Sequence, residues 1–503
     1  MACNWVSRTP QAEDRGPAAP LLKPFLIYLV LGLPAPAGAD ALDEVRRTGV
    51  LTWGADPEGG APYVFPDPAA PERYIGFEAD LAEVLARDLG ARARLVPVDW
   101  TSLIPALQRG DFHMALNGLE WTGARAREVD FSDPYYIYTQ QLVTRASQTG
   151  IQSLRDLPGR EVATLAGSVA QQILERLPGV RIRFYEGQVE PYRDLALGRI
   201  DAVFMDLPIA AWYAAPDPRL RLRGEPVAEG VYAIAFRKED QRLKNEINRS
   251  LRRRIADGTL PEIYRKWGLW NATQLNLAEA RHSARAVTEA RGAAGWGHYL
   301  RLLLQGAGMT VLLSVVSMAL AMAAGAGLTA LRLSGRRLLN GPAIAYIELM
   351  RGTPLLLQLY ILYYGLPNIG IQLNAFTAAV LGLGLNYAAY EAEIYRAGLE
   401  SLPPGQAEAG LSLGMTRGQV YRRILIPQAL RRLLPPVTND FIALFKDSSL
   451  VSIIAIVELT KTYNMLAVST MKFLELGLLT AALYLMMSLP LSWLSARLER
   501  GPA

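Results

Sequence analysis

Cysteine occurs once in the 503 residues, as Cys3. One thiol builds no intrachain disulfide and no cysteine-ligated zinc site, and a cysteine-free remainder suits a domain in an oxidising compartment. Histidine is almost as scarce. His113, His282 and His298 stand far apart, so no metal site is expected and no catalytic cluster stands out. No Gly-x-x-x-x-Gly-Lys-Ser/Thr phosphate loop occurs, which excludes a nucleotide site of that kind in this chain. Charge is thin as well: charged residues make up 20% and hydrophobic residues 51%. That balance is too apolar for an ordinary soluble protein and too polar for one held wholly in a membrane, so one part of each kind is expected. The net charge of +5 comes without a basic cluster interleaved with aromatics. Nucleic acid is therefore not an expected partner, and the basic residues read as flanks of membrane segments.

What is present divides the chain. "FLIYLVLGL" (Phe25–Leu33), with Lys23 before it and "PAPAGAD" after it, is too short to span a bilayer. It reads as a secretory signal in the 1–39 region, with cleavage expected after Ala39; the alternative is an uncleaved anchor. From 40 to 270, short β-rich runs alternate with amphipathic helical ones, which predicts an α/β fold. In "GFEADLAEVLARDLG" (Gly76–Gly90), Phe77, Leu81, Val84, Leu85 and Leu89 share one helical face. Residues 271–297 form a polar Ala/Arg/Glu-rich joint that would span roughly 30 Å as a coil. From 298 to 503 the chain is apolar, with five spans expected near 305–331, 341–365, 375–397, 433–458 and 474–495. Arginines follow the first span (Arg332, Arg336, Arg337), separate the third from the fourth (Arg417, Arg422, Arg423, Arg431, Arg432) and follow the fifth (Arg497, Arg500). The positive-inside rule makes these loops cytoplasmic and puts the α/β part outside.

Five motifs in order, "GFEADLAEVLARDLG", "DWTSLIPALQRGDF", "TGARAREVDFSDPYY", "GRIDAVFMD" and "GTLPEIYRKWG", resemble an extracellular solute-binding protein of the polar amino-acid type. The resemblance implies a two-lobed α/β periplasmic-binding fold of type II, with lobe one at 41–143 plus 232–270 and lobe two at 147–230. An amino acid needs a partner for each of its charges, and arginine suits the carboxylate because its planar fork donates two parallel bonds. By resemblance that arginine is Arg125, with Arg127 the surface alternative, and the acid for the ligand ammonium is Asp206, whose other reading is a helix N-cap. Gly118 and Glu120 would line the first lobe's rim, and Gly167 and Ser168 would offer amides and a hydroxyl at a helix start. Trp100 matches an aromatic wall, with core packing as the alternative. Tyr63 lies in a loop, "ADPEGGAPYVF", that is one residue longer than the family's. Asp56 matches a side-chain-recognising position, or caps the turn that follows it. Glu120 departs from the pattern, because the family has serine or threonine there. With Asp56 and Asp206 it tilts the expected ligand toward a polar or cationic amino acid.

"RGTPLLLQLYILYYGLP", "EIYRAGLESLPPGQAEAG" and "NDFIALFKDSSLVSIIAIVELT" resemble the permease of an amino-acid importer of the ATP-binding-cassette class. Its coupling-loop signature falls on Glu408, Ala409, Gly410, Gly414, Ile424 and Pro427, with Gly410 replacing alanine and Ile426 replacing leucine. The residues predict a helix ending at Gly414, then a second one that starts at a Thr416–Gln419 capping box and ends before Pro427. The resemblance implies a receptor–permease subunit in a bacterial inner membrane and a separate cytoplasmic ATPase dimer that carries ATP-Mg, with no cofactor in this chain. It also implies a second permease copy, identical or paralogous. A ligand-gated channel and an enzyme on a binding-protein fold are the competing classes. Glu348, Glu391, Glu393, Arg396, Asp440, Lys446 and Asp447 fall inside the apolar region and are expected to face protein or a polar path.

Overall fold

The computed structural model describes residues 40–58, 60–185, 187–277, 279–280, 295–334 and 336–499. The signal reading for 1–39 lies outside them, as does most of the expected joint.

Among the described residues the N-terminal part has ten strands: β1 (Val50–Ala55), β2 (Phe65–Asp67), β3 (Ala70–Ile75), β4 (Arg92–Pro97), β5 (Met114–Ala115), β6 (Asp130–Arg145), β7 (Glu161–Leu165), β8 (Arg181–Tyr185), β9 (Ala202–Asp206) and β10 (Leu220–Phe236). β2 and β3 form a separate hairpin, and the other eight run in the order β4-β1-β5-β10-β6-β9-β7-β8. β4, β1 and β5 are parallel, as are β8, β7 and β9. Between these two parallel halves lies the antiparallel pair β6–β10, whose strands are 16 and 17 residues long. Its register slips between Arg223 and Val227 and again before Gly230, and such bulges bend a strand pair. The expected lobe crossings, 143–147 and 230–232, fall at the end of β6 and inside β10.

The helix at Phe77–Asp88 buries Phe77, Leu81 and Leu85 against this sheet. Glu78 is buried on the same helix, although nothing in the apolar pattern marks it. The helix Leu103–Arg109 stops at Gly110, whose φ of 82° suits glycine.

The C-terminal part is helical. Among the described residues two helices are long and apolar enough to cross a membrane, Trp296–Leu333 and Phe473–Arg497. The helix Ala375–Glu400 packs along the first of them. The second expected span, 341–365, is not one helix: it breaks into Arg337–Gly352 and Leu355–Tyr360. The cause is Pro354, which forces Thr353 to extended backbone (φ −120°, ψ 141°). The fourth expected span is displaced. Its helix runs Ile426–Asp447 and gives way to a 3₁₀ segment at Ser448–Ile454. A further helix, Leu459–Thr470, was not expected. The coupling-loop reading also needs a correction. Gly414 (φ 76°) does end the turn after the helix Pro404–Ser412, and Thr416 with Gln419 forms the capping box. The second helix does not stop before Pro427. It passes from Arg417–Val420 through a π turn at Tyr421–Leu425 into Ile426–Asp447, with the proline in that helix's first turn. A proline inside a continuing helix lacks an N–H and crowds the carbonyl four residues back, and the π turn directly before it interrupts that ladder.

Small residues set the spacing of the long helices. A Cβ on Gly325 would stand 2.7 Å from the Glu391 Cβ, and one on Gly384 would stand 2.7 Å from Leu320 Cδ2. Gly308 and Gly327, on the same first helix, face open space. Gly325→Val or Gly384→Val should therefore destabilise the full-length protein by about 1–3 kcal/mol through overpacking, and lower its thermal unfolding midpoint in detergent. Gly308→Val and Gly327→Val should leave the midpoint nearly unchanged.

Candidate ligand-binding site

Arg125 reaches the cleft because Thr122 caps its short helix. The Thr122 Oγ1 accepts from the Arg125 backbone N–H at 3.3 Å, which starts Gly123–Glu128 and turns the arginine inward. The guanidinium is buried. Its Nη1 donates to the Glu120 carbonyl at 3.0 Å and to Glu120 Oε2 at 3.3 Å, and its Nη2 donates to the Gly167 carbonyl at 3.2 Å. It also lies 5.1 Å from the Trp100 ring centroid, within cation–π range. Glu120 completes a bridge between the sheet halves, because its Oε1 accepts from the Val169 N–H at 2.9 Å. Burial raises the Glu120 carboxyl above its ordinary range, opposed by the Arg125 charge beside it.

Asp206 ends β9 directly before the helix Leu207–Ala214, yet its side chain makes no capping bond. Its Oδ1 instead accepts from Gln140 Nε2 at 2.6 Å, and its Oδ2 accepts from the Tyr232 hydroxyl. That hydroxyl also meets Tyr63 OH at 2.8 Å. Burial pushes the Asp206 carboxyl up to about 8, with the Glu120 charge adding to the rise. Asp56 is held as a turn former. Its Oδ1 accepts from the Glu58 N–H and its Oδ2 from the Trp100 N–H, both at 3.0 Å, and burial still lifts it to about 6. Gly118 (φ 57°) donates its N–H to Glu78 Oε1 at 2.6 Å, and Gly167 (φ 77°) donates to Gln171 Oε1 at 2.8 Å. The Ser168 hydroxyl is spent locally, donating to the Leu165 carbonyl at 2.8 Å and accepting from the Gln171 N–H at 3.2 Å.

The structure thus gathers Tyr63, Trp100, Gly118, Glu120, Ser168 and Asp206 around one cavity, with Arg125 and Gly167 bonded to its wall and Asp56 around a neighbouring one. The space left is about 20 Å³, room for about one water. Such a site can clamp a small zwitterion between a guanidinium and a carboxylate. Sequence reasoning missed the supporting side chains Glu78, Gln140, Gln171 and Tyr232. Only Glu78 left a trace, as an acid one position from Phe77 and three before Leu81 on an otherwise apolar face.

The binding part also meets the membrane part through arginines that no motif singled out. Asp194 is fully buried and accepts from Tyr363 OH at 2.5 Å, Tyr185 OH at 2.7 Å and Arg199 Nη1 at 2.9 Å. Arg199 donates to the Tyr363 carbonyl at 2.9 Å, and Arg193 donates to the Tyr364 carbonyl at 2.5 Å. Within the helical part, a cavity of about 530 Å³ is lined by Arg351, Asn386, Tyr387, Tyr390, Asp440 and Asp447 among others. The loop residues Glu408, Ala409 and Pro427 are exposed, Ile424 is half-buried and Gly410 is buried. Gly410 is where the signature has alanine. A Cβ there would stand 2.8 Å from Ile424 Cδ1 and 2.9 Å from Val420 Cγ2, so the closely packed turn leaves no room for a methyl group.

Two family models match the chain. Residues 51–269 match the bacterial extracellular solute-binding proteins, family 3, and residues 317–502 match the binding-protein-dependent transport system inner membrane component. The chain is 41% identical over 182 residues to a probable amino-acid ABC transporter permease of Bacillus subtilis, covering 36% of this chain and 80% of that protein. It is 38% identical over 201 residues to the glutamine transport system permease of Escherichia coli, covering 40% of this chain and 92% of that one. Among solved structures, an ancestral amino acid-binding protein that is a precursor of cyclohexadienyl dehydratase is 35% identical, with 45% of this chain and 99% of that chain covered and a TM-score of 0.43. The chain belongs to the family of binding-protein-dependent transport system inner membrane components, and it carries a family 3 extracellular solute-binding domain on the same polypeptide.

Proposed function

We propose that this receptor–permease subunit of an importer captures a free amino acid, polar or cationic, between Arg125 and Asp206 and passes it through its own membrane part. The observation that carries the reading is a buried carboxylate, Asp206, on the cavity wall and a buried guanidinium, Arg125, bonded to that wall through Glu120. A low-dielectric cleft strengthens both charge-assisted bonds. The acids Glu120 and Asp206 outnumber Arg125 there, with Asp56 at the neighbouring cavity, which favours a cation over a neutral ligand. The family supports the importer over the ligand-gated channel and over the enzyme on a binding-protein fold.

The domain limits go with this reading: a signal region at 1–39, the binding domain at 40–270, a joint at 271–297 and the permease at 298–503. The binding domain lies on the periplasmic side of a bacterial inner membrane. Energy comes from a separate cytoplasmic ATPase dimer that binds ATP-Mg, because this chain has no phosphate loop. That dimer seats on the 405–427 loop, with Glu408 as the charged contact. A second permease copy completes the pathway. In its favour, Glu348 and Lys446 are exposed on this chain, and ionisable groups at membrane depth need protein or water around them.

Three outcomes follow. Arg125→Ala should weaken amino-acid binding at least about tenfold, the size of one charge-assisted hydrogen bond, and should lower the melting midpoint of a chain that still folds, because it strands the buried Glu120 carboxylate. Calorimetry on the full chain measures this, and unchanged affinity would remove Arg125 from the site.

Asp206 must be ionised to pair with a ligand ammonium, and burial holds its carboxyl up at about 8. Below that pH, binding must expel its proton, so affinity should rise as the pH is raised from 6 toward 8. Asp206→Asn should lose both the affinity and the slope. A flat profile in the unsubstituted protein would count against the assignment.

Glu408→Lys, or Gly414→Asp at its positive φ, should leave ligand affinity intact and abolish ligand-stimulated ATP turnover by the reconstituted complex. Normal stimulation in both variants, with normal assembly, would show that the loop is not the coupling element.

A further inference from the structure

Glu120 does something that a serine or threonine cannot do. Its carboxylate is 2% exposed and holds two donors at once, the Arg125 guanidinium at 3.3 Å and the Val169 backbone N–H at 2.9 Å. A guanidinium fork and a backbone amide are also what the α-carboxylate of an amino acid would take in this cleft. The chain's own carboxylate therefore sits where a ligand's would sit, on a tether, and the remaining space of about 20 Å³ is too small for both.

Entry of an amino acid is then an exchange. The ligand carboxylate takes Arg125 and the Val169 N–H, and Glu120 must find another partner. Among the described residues, the ionisable neighbours besides Arg125 supply no second cation. Asp206 is close enough for the Glu120 charge to act on it, and Tyr138 and Tyr232 are the nearby phenols. One fixed cation faces two acids in the cleft, so a neutral amino acid, whose carboxylate takes Arg125 and whose ammonium pairs with one acid, leaves the other to stay buried without a partner or to take up a proton. Stranding one member of a buried ion pair is among the costlier events in a protein. A ligand that carries a second cation supplies that partner.

We propose that Glu120 is the specificity-determining residue of this clamp, a tethered carboxylate that admits only amino acids whose second cation can replace Arg125 as its partner. The inference rests on the amino-acid reading above and deepens it by naming the class of ligand, the dibasic amino acids. It also accounts for the departure at this position, since a hydroxyl would leave Arg125 open to any amino acid.

The test is calorimetry on the full chain in lipid nanodiscs with L-lysine, L-arginine and L-ornithine against L-glutamine, L-serine and L-methionine. The unsubstituted protein should bind the best dibasic ligand at least about tenfold more tightly than any neutral one, the size of one charge-assisted bond. In Glu120→Ser that ratio should fall to within about threefold, mainly because the neutral ligands gain. Glu120→Gln keeps the shape and the acceptor toward Val169 but not the charge, and it should lose the same preference. That result separates a charge effect from a packing effect. Equal binding of neutral and dibasic ligands by the unsubstituted protein, or an unchanged ratio in both variants, would overturn this inference alone. Binding of none of the six by any form, with melting profiles intact, would overturn the amino-acid reading and this inference with it.

Discussion

The antiparallel pairing of β6 with β10 is the constraint on which the binding part depends. Among the described residues, the two parallel half-sheets β4-β1-β5 and β9-β7-β8 share no strand ladder, and each is hydrogen-bonded to one strand of this pair. The pair also furnishes the site. Gln140 on β6 and Tyr232 on β10 hold the Asp206 carboxylate, and Tyr232 pairs its backbone with Glu120. The bulges between Arg223 and Gly230 sit where the pair passes from one half to the other. A bend there changes the distance between Arg125 on one side and Gly167 and Val169 on the other. The same two strands that keep the halves together thus set the width of the cleft.

The membrane part is organised by a different rule. Backbone polar groups must be satisfied within each helix, so breaks occur where the sequence forces them, as at Thr353–Pro354, and close approach occurs where glycine permits it, as at Gly325 and Gly384. Contact between the two parts includes a polar and specific cluster. Asp194 accepts donors from both sides, and a buried carboxylate so supplied fixes the orientation of the side chains that reach it. On the ligand side, Val468 from the helix Leu459–Thr470 packs against Gly167, whose carbonyl holds Arg125. A side chain of the membrane part therefore touches the turn that grips the arginine.

The sequence alone determined the division into an α/β part and an apolar helical part, the helix at Phe77–Asp88, the stop at Gly110, the turn at Gly414 and the capping box at Thr416. Each of these is local: a hydrophobic period, a glycine at positive φ, a side chain bonding its own helix. Ordered motifs also named the cleft residues Arg125, Glu120 and Asp206 by resemblance. Only the tertiary structure decided what those residues bond to. The sequence left Asp206 open as a helix cap, and the fold turns it toward Gln140 and Tyr232, which lie far away in the chain. It marked Glu120 as a departure, and the fold seats its carboxylate on Arg125 and Val169. The break at Thr353, the unbroken passage through Pro427 and the arginine contacts to Tyr363 and Tyr364 were equally hidden. The reason is physical. Propensity and periodicity act over a few residues, whereas a buried carboxylate takes whichever donors the packed chain brings to it, and that choice is made only when distant segments meet.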